Sequence, residues 1–405
     1  MRKNDHGRFG IESVSRRAMI AGLAAGTGFL TLHSPAAWSQ AHKGETGSGD
    51  VPGIKLTPQQ RMRGADFVMH HPSIDIHAHP GRFFLRGLPE DAPAVRAFGA
   101  PDEPQVIADL NAGHVSAALF AAVADMQVLG VSKTGIRGVR NFKPGEAIAD
   151  YARQIADLRA LISHGGLGQA VNVQGVYAAK QRGRTAAIFA VEGGDFIEDR
   201  LDRIHRAHMD GVRAITIVHY RVNQIGDIQS EAPVHNGLTP LGKDIVREMN
   251  KAGIIVDLAH ATFAVTKDVL EISDRPVMLS HSTLAAPGDT APRLISAKHA
   301  AIVADHGGII GAVPWGFGQS RFSDYIDAIL RLVDCVGVRH VAIGTDMDAT
   351  YKPVFTTYRD WSLIPAALLA RGLHESEVGM IMGGNFLRIF RTALAGIAGS
   401  RGAAQ

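Results

Sequence analysis

The stretch SIDIHAHP, residues 73–80, begins like a buried strand and ends with two histidines, His77 and His79. Side chains on a strand alternate between its two faces, so residues two apart point the same way. Two imidazoles directed at one point could share a metal ion, although a chance pair at the start of a loop would look the same. The stretch therefore predicts a strand, and the rest of the chain decides whether its end binds metal.

Seven further apolar runs of this kind follow the first one along the chain. They are VSAALFAAV (115–123), TAAIFAVEGG (185–194), VRAITIVHY (212–220), GIIVDLAH (253–260), PVMLSHS (276–282), GGIIGAVPW (307–315) and HVAIGTDMD (340–348). Their apolar character is continuous rather than alternating, which is typical of parallel strands buried on both faces. We therefore expect eight strands, the first of them over residues 73–79.

Helical segments separate these runs. In GEAIADYARQIADLRALIS (145–163) the apolar residues recur at near-helical spacing. TPLGKDIVREMNKAG (239–253) opens with Thr239 as an N-cap and Pro240 at the first helical position, and it ends at Gly253. Eight strands alternating with helices predict an α/β fold of the (β/α)8 barrel type. An open doubly wound sheet is the alternative, but no Gly-rich phosphate loop follows the first run.

Polar residues stand at the carboxyl ends of the predicted strands, which form one rim in such a barrel and carry its active site. The rim residues are His77 and His79 at the end of the first run, Glu192 near the end of the third, His219 near the end of the fourth, His260 at the end of the fifth, His281 near the end of the sixth, and Asp346 and Asp348 at the end of the eighth. This repetition favours a metal centre. Seven other histidines fall elsewhere and are predicted not to be ligands: His70, His71, His205, His208, His299, His306 and His340.

The rim residues are of the types that bind zinc when cysteine is absent. One carboxylate between two groups of histidines can bridge two ions, which lower the pKa of a bound water towards about 7 and polarise a carbonyl oxygen. Asp346 is predicted to move a proton from that water to the leaving amine. Such chemistry hydrolyses amides or esters.

The composition excludes other kinds of site. The chain has 405 residues and 46% hydrophobic content, enough for a large core. Its net charge of +3 comes from residues 1–39, so the remainder is balanced and offers no basic face for nucleic acid. The single cysteine, Cys335, excludes an intrachain disulfide and a cysteine metal cluster, and we expect a buried, unreactive thiol.

Residues 1–41 are typical of an export signal. Arg16 and Arg17 precede an apolar stretch, and small residues near position 40 offer cleavage sites. The Ser-Arg-Arg-x-Met-Ile pattern resembles a twin-arginine signal, which predicts periplasmic location; a disordered terminus and an uncleaved anchor are the alternatives. The remaining divisions are expected to be a flexible linker (42–56), the barrel domain (57–395) and a disordered tail (396–405), with no membrane span in the mature chain.

Several stretches resemble the membrane dipeptidase (renal dipeptidase) family of binuclear zinc peptidases, within the amidohydrolase superfamily. The similar segments are AVEGGDFI (190–197), ITIVHYRVNQIGD (215–227), GLTPLGKDIVREMNKAGIIVDLAHAT (237–262), PVMLSHST (276–283), PRLIS (292–296), AIGTDMDAT (342–350) and GGNFLRIF (383–390). Their order and spacing agree with the family over roughly residues 66–390.

The resemblance implies two zinc ions per chain. His260 and His281 would bind one ion, His77 and His79 the other, and Glu192 would bridge them. The family usually has His-x-Asp where this chain has His77-Ala-His79, so one negative charge is missing. Weaker binding or a different divalent metal at that site are the alternatives. Asp75 either compensates from behind the ligands or caps a neighbouring backbone.

The resemblance also implies a zinc-dependent dipeptidase, with a D-residue at the second position as one option. His219 would contact the substrate, Arg293 would hold the terminal carboxylate of a dipeptide, and Asp346 would be the acid/base. DMDAT and PRLIS depart from the family pattern, which puts the substrate pocket in question. The alternatives are a related amidohydrolase for N-acyl amino acids, lactones or other amides, and a non-catalytic metal-binding relative. A homodimer is a common state in the family.

Overall fold

The computed structural model describes residues 53–132, 135–164 and 166–402. The expected export signal and most of the expected linker lie outside these ranges. The first described helix, α1 (Pro58–His70), begins at a capping box in which Thr57 and Gln60 bond each other's backbone. Among the described residues, helices that combine the length and apolar character needed to cross a membrane are absent.

Eight parallel strands form a closed barrel. They are β1 (Ile74–Ala78), β2 (Ala117–Val123), β6 (Ala186–Glu192), β7 (Val212–Thr216), β8 (Ile255–Asp257), β9 (Met278–Ser282), β10 (Ile309–Ala312) and β11 (Val341–Ile343). β2 pairs with β1 on one side and with β6 on the other, through a continuous run of residue pairs that ends at Val123 and Glu192. The ring confirms the predicted barrel and its eight strands, and it excludes the open sheet.

Helices cover the outside of this ring. After α1 they are α2 (Pro93–Phe98), α3 (Glu103–Ala112), α4 (Glu146–His164), α5 (Val173–Gln181), α6 (Asp202–Asp210), α7 (Pro240–Ala252), α8 (Phe263–Ile272), α9 (Ala297–Asp305), α10 (Phe322–Val336), α11 (Leu363–Ala370), α12 (Glu375–Gly379) and α13 (Asn385–Gly402). The structure confirms both helices expected from sequence, α4 and α7. At α7, the Thr239 hydroxyl accepts a hydrogen bond from Gly242 N at 2.9 Å, and Gly253 takes a left-handed conformation at the end.

Three short strands have no counterpart in the sequence-based expectation. β3 (Leu129–Ser132) and β4 (Gly135–Gly138) form an antiparallel hairpin after β2, and β5 (Gly168–Gln169) pairs with the start of β6. α13 continues to Gly402, so residues 396–402 are helical where the sequence analysis expected the start of a disordered tail.

Both faces of the barrel strands are buried, as the continuous apolar runs predict. Neighbouring residues of β2 join different clusters of buried side chains: Leu119 lies with Phe386 of α13, whereas Phe120 lies beside Phe83 at 6.4 Å between ring centroids. Cys335 on α10 is half-buried rather than fully buried. The ring is thus a packed scaffold that presents its carboxyl ends on one side.

Candidate metal centre and active site

The structure brings all eight predicted site residues together at the carboxyl end of the barrel. His77 and His281 lie within β1 and β9, Glu192 ends β6, and the others lie in loops that follow strands: His79, His219, His260, Arg293 and Asp346. Seven of the eight line one cleft with about 560 Å³ of space, counting the part open to solvent, and His77 lies beneath them. The structure thus brings together the seven residues that the strand-end rule selects and Arg293, which only the family resemblance implied.

Glu192 stands at the centre of this cluster. Its carboxylate oxygens lie 3.0–3.5 Å from five imidazole Nε2 atoms, those of His77, His79, His219, His260 and His281. Burial alone would raise the pKa of Glu192, but the imidazoles of His219 and His77 hold it well below its usual range. The centre of the site is therefore a carboxylate surrounded by nitrogen donors.

Groups behind the imidazoles direct the Nε2 atoms of three of them towards Glu192. The Nδ1 atom of His79 lies 2.8 Å from the carbonyl oxygen of Ala121. The Ser280 hydroxyl lies 3.3 Å from Nδ1 of His77 and 3.0 Å from Nδ1 of His281. A metal-binding histidine is commonly oriented through its other ring nitrogen in this way.

The residues fit a divalent metal. Nε2 of His77 is buried and lacks a hydrogen-bond partner among the described residues. Burial lowers the pKa values of His260 and His281 well below the usual range, which keeps both rings neutral, as metal ligands must be. In each of three sets of residues, the potential ligand atoms lie within 4.8 Å of one another. The sets are His77, His79 and Glu192; His77, His281 and Asp346; and Glu192, His219 and His260.

His79 stands where the resemblance described in the sequence analysis implies an aspartate. Its Nε2 atom lies 3.2 Å from Glu192 Oε2 and 3.3 Å from Asp346 Oδ1. Burial alone would lower the pKa of His79, but Asp346 and Glu192 raise it to about 10. The space between the two carboxylates therefore stabilises positive charge, even with imidazole in place of the carboxylate.

Asp346 is held in a strained backbone conformation. Its φ is 52°, a left-handed value that is uncommon outside glycine, and its backbone N–H donates to His77 O at 2.8 Å. Thr350 donates its hydroxyl to Oδ2 of Asp346 at 2.8 Å, which leaves Oδ1 facing His79. His260 has a φ of 66° as well. Such conformations persist only where the surrounding structure enforces them, and they cluster at functional sites.

Asp75 lies behind the ligands and caps backbone groups. It accepts hydrogen bonds from the amides of Thr345 at 2.9 Å and His77 at 3.3 Å, and from the Tyr358 hydroxyl at 2.8 Å. Pairing between β1 and β2 shifts register between Asp75 and Ala78, so the strand is irregular where it carries His77. Of the two expectations for Asp75, the structure places it in the capping role.

Asp125 was not predicted from sequence, yet it orients His219. Its buried carboxylate accepts a hydrogen bond from His219 Nδ1 at 2.7 Å and another from Tyr220 N at 3.1 Å. His219 Nε2 therefore points to Glu192. Asp125 follows the end of β2, so the strand-end rule applied to the second run would have found it.

We expect Asp125→Asn to lower kcat/KM about 10- to 100-fold, because the change removes the charge that orients the His219 ring. The measurement is kcat/KM together with metal content by elemental analysis. Unchanged metal content assigns His219 to substrate contact, whereas lost metal makes His219 a ligand. An unchanged kcat/KM would show that Asp125 does not orient His219.

Arg293 lies at one end of the cleft. One guanidinium nitrogen donates to Gln229 Oε1 at 2.6 Å, another lies 3.1 Å from His281 Nε2, and the group stands 5.9 Å from the ring of Trp315. Ala349, in the DMDAT segment, lines the cleft, whereas Leu294 beside Arg293 is not among its lining residues. Of the two departures from the family pattern, the first therefore reaches the cleft.

Histidines outside the rim have other partners. His306 and His340 lie 3.2 and 2.8 Å from the carbonyl oxygens of Arg275 and Gly308. His299 on α9 is buried, with Nε2 2.8 Å from the Thr266 hydroxyl. Burial lowers the pKa of His299 to about 4.

This shift predicts a pH-dependent stability. A histidine with a lowered folded-state pKa stabilises the fold above its unfolded pKa of about 6.5, and the contribution is lost as the pH falls from about 6.5 towards 4. Between pH 7 and 5 the loss is about 2 kcal/mol. Urea unfolding at both pH values measures this loss. The free energy of unfolding of His299→Gln should decline less than that of wild type by that amount, and His70→Gln, at an exposed histidine, is the control. Equal declines in wild type and His299→Gln would contradict the assignment.

The chain matches known proteins over most of its length. The family model for membrane dipeptidases (peptidase family M19) matches residues 65–398. Dipeptidase tcpJ of Claviceps purpurea is 32% identical over 227 residues, 52% of this chain and 51% of that protein. The chain thus spans about half the length of this curated relative.

Two solved structures share the fold. The probable dipeptidase PvdM from Pseudomonas aeruginosa superposes with a TM-score of 0.70 at 18% identity, covering 84% of this chain and 100% of that one. A metallo peptidase from Rhodobacter sphaeroides, liganded with a phosphinate mimic of the dipeptide L-Ala-D-Ala, gives a TM-score of 0.67 at 19% identity, covering 80% of this chain and 99% of that one. At these identities the similarity shows a common architecture.

Proposed function

Because the chain belongs to the membrane dipeptidase family, we propose that it is a metal-dependent hydrolase that cleaves the amide bond of dipeptides. The observation that carries the proposal is the convergence of five imidazole Nε2 atoms on the Glu192 carboxylate, at the bottom of a cleft that also contains Asp346 and Arg293. This donor set suits metal-assisted hydrolysis.

The proposed metal complement is two zinc ions. His77, His79 and Glu192 would hold one ion, and Glu192, His260 and His281 the other. When bound, the pair would lower the pKa of a water molecule and polarise the scissile carbonyl. His79 contributes no negative charge where most of the family has a carboxylate, so its site is the one where another divalent metal would compete.

Asp346 would move the proton. Burial alone would raise the pKa of Asp346, but His79 and His281 lower it, so the side chain is ionised and able to accept a proton. Its Oδ1 atom faces the cluster and Oδ2 is fixed by Thr350. The same carboxyl group would then protonate the leaving amine.

Arg293 and His219 would position the substrate. A guanidinium binds a terminal carboxylate through paired hydrogen bonds, and Arg293 lies at the edge of the cluster, next to His281. Burial raises the pKa of Tyr220 to about 12, so its hydroxyl stays neutral beside Arg293. The L-Ala-D-Ala mimic bound by the Rhodobacter enzyme supports a D-residue at the second position of the substrate.

The proposed location is the periplasm, by the twin-arginine route. Its support is the Arg16-Arg17 pair followed by an apolar stretch. Replacing both with lysine should abolish export in cell fractionation, while export of the variant would contradict that route. We also propose a homodimer as the assembly, which light scattering tests directly.

The experiment for the activity combines metal analysis with turnover. Protein lacking residues 1–41 is analysed for bound metal and assayed on L-L and L-D dipeptides. About two zinc ions per chain with cleavage supports the proposal. Two ions without cleavage, together with hydrolysis of another amide that Arg293→Ala leaves unchanged, would replace the dipeptidase with a related amidohydrolase. Absence of turnover after addition of zinc, manganese or cobalt would overturn catalysis.

A further inference from the structure

The cleft adjoins an apolar recess on the protein surface. The recess is lined by Ala94, Phe98, Met126, Leu129, Gly130, Val131 and Ile136. Four of these residues, Phe98, Met126, Leu129 and Ile136, also line the main cleft, so the two spaces adjoin each other. The recess is a shallow, partly open surface with about 250 Å³ of space, counting the part open to solvent.

The recess and Arg293 contact the ligand cluster at different residues, the recess through Phe84 at His79 and Arg293 at His281. A series of contacts connects the two: Phe84 to His79 at 5.3 Å, His79 to His77 at 5.0 Å and His77 to His281 at 4.2 Å between ring centroids, then His281 Nε2 to Arg293 at 3.1 Å. Phe84 in turn contacts Phe98 of the recess at 5.9 Å. A dipeptide whose carboxylate is at Arg293 and whose amide bond is at the cluster therefore directs its amino-terminal residue towards the recess.

The recess is built on anchored elements. Gly138 N at the end of the hairpin donates to Tyr220 O at 3.0 Å, and Val139 N donates to Val128 O at 2.9 Å. Phe98 ends α2, which packs against β3. The walls are therefore fixed relative to the cluster, as a specificity pocket requires.

The lining of the recess selects by chemistry. None of its seven lining residues, all within the described ranges, carries a charged or hydrogen-bonding side chain. The carboxylates that line the main cleft, Glu192 and Asp346, belong to the ligand cluster. An apolar side chain would be buried favourably, whereas a charged side chain would lose water without gaining a partner.

We propose that the recess receives the side chain of the amino-terminal residue, so that the enzyme prefers dipeptides with a large apolar residue at that position. The proposal rests on the dipeptidase activity proposed above. It makes Phe98, Leu129 and Ile136 specificity-determining residues. A single apolar pocket typically discriminates between side chains that differ by a few methylenes by factors of about 10 to 200.

The test compares kcat/KM for Phe-Gly, Ala-Gly and Asp-Gly on the metal-loaded enzyme. We expect Phe-Gly to exceed Ala-Gly by about 10- to 100-fold and Asp-Gly by at least as much. Ile136→Ala should lower the ratio of kcat/KM for Phe-Gly to that for Ala-Gly about fivefold or more. Val234→Ala, whose residue is 66% exposed and lines neither the cleft nor the recess, is the control and should leave the ratios unchanged.

A second variant keeps the test independent of folding yield. Ile136→Lys places a cation in the recess and should raise the ratio of Asp-Gly to Phe-Gly at least tenfold, a gain that misfolding cannot produce. Equal rates for Phe-Gly, Ala-Gly and Asp-Gly, or ratios that neither Ile136 variant shifts, would overturn the specificity while leaving the dipeptidase intact. Failure to cleave any dipeptide would overturn both proposals.

Discussion

Glu192→Gln should lose metal and nearly all activity. The substitution keeps the shape of the side chain but removes its negative charge from the point where five imidazoles converge. A neutral amide oxygen cannot bridge the two proposed dications with comparable strength. The NH₂ group of the glutamine cannot coordinate a metal ion at all. Since metal ions supply several kcal/mol of transition-state stabilisation, we expect kcat to fall on the order of 10³-fold or more.

Elemental analysis and turnover of the same sample test this prediction. We expect less than one ion per chain in Glu192→Gln after dialysis, against about two in wild type. Glu231→Gln is the matched control, because Glu231 is an exposed acid outside the cluster and its loss should change neither quantity. Full metal content in Glu192→Gln would show that the histidines alone hold the ions and would remove Glu192 from the bridging position.

The features that could be predicted from the sequence are those that burial requires of the amino-acid pattern. Strands buried on both faces need continuous apolar runs, so all eight barrel strands could be located. Because parallel strands in a barrel end at one rim, the residues after those runs were expected to meet, and His77, Glu192, His260 and Asp346 do. The topology of the barrel was therefore sufficient to predict that these residues, distant in sequence, lie together.

The unpredicted part depends on contacts that local patterns do not encode. The hairpin of β3 and β4 is short and Gly-rich, and its register follows from tertiary bonds such as Gly138 N to Tyr220 O. Asp125 follows the second apolar run and so fits the strand-end rule, but its contact with His219, 94 residues further along the chain, is set by the fold. Arg293 lies well past the end of β9, so only the family resemblance singled it out.

The charge of the site links these observations. The cluster combines five imidazoles with two carboxylates, those of Glu192 and Asp346, so it carries less negative charge than it would with an aspartate at position 79. The cluster still holds both carboxylates ionised, since nearby imidazoles lower the pKa of each below its usual value. Asp346 therefore has two proposed tasks, as a proton acceptor and as a counter-charge facing His79.

Asp346→Asn separates these two tasks. The asparagine keeps the size of the side chain and can still accept the hydrogen bond from Thr350, but it cannot take up a proton from water or return one to an amine. General acid–base groups typically contribute 10²- to 10⁴-fold, so we expect kcat to fall by about 10³-fold. Metal content should remain near the wild-type value, because the three-residue sets around Glu192 are intact.

The matched control for this variant is Asp348→Asn, in the same loop. Asp348 accepts a hydrogen bond from Gly81 N at 2.7 Å, a bond that an asparagine oxygen preserves, so its activity should stay within about tenfold of wild type. Lost activity with retained metal in Asp346→Asn would assign proton transfer to Asp346. Lost activity with lost metal would mean that its charge serves mainly to hold an ion beside His79, and full activity would require a different proton carrier.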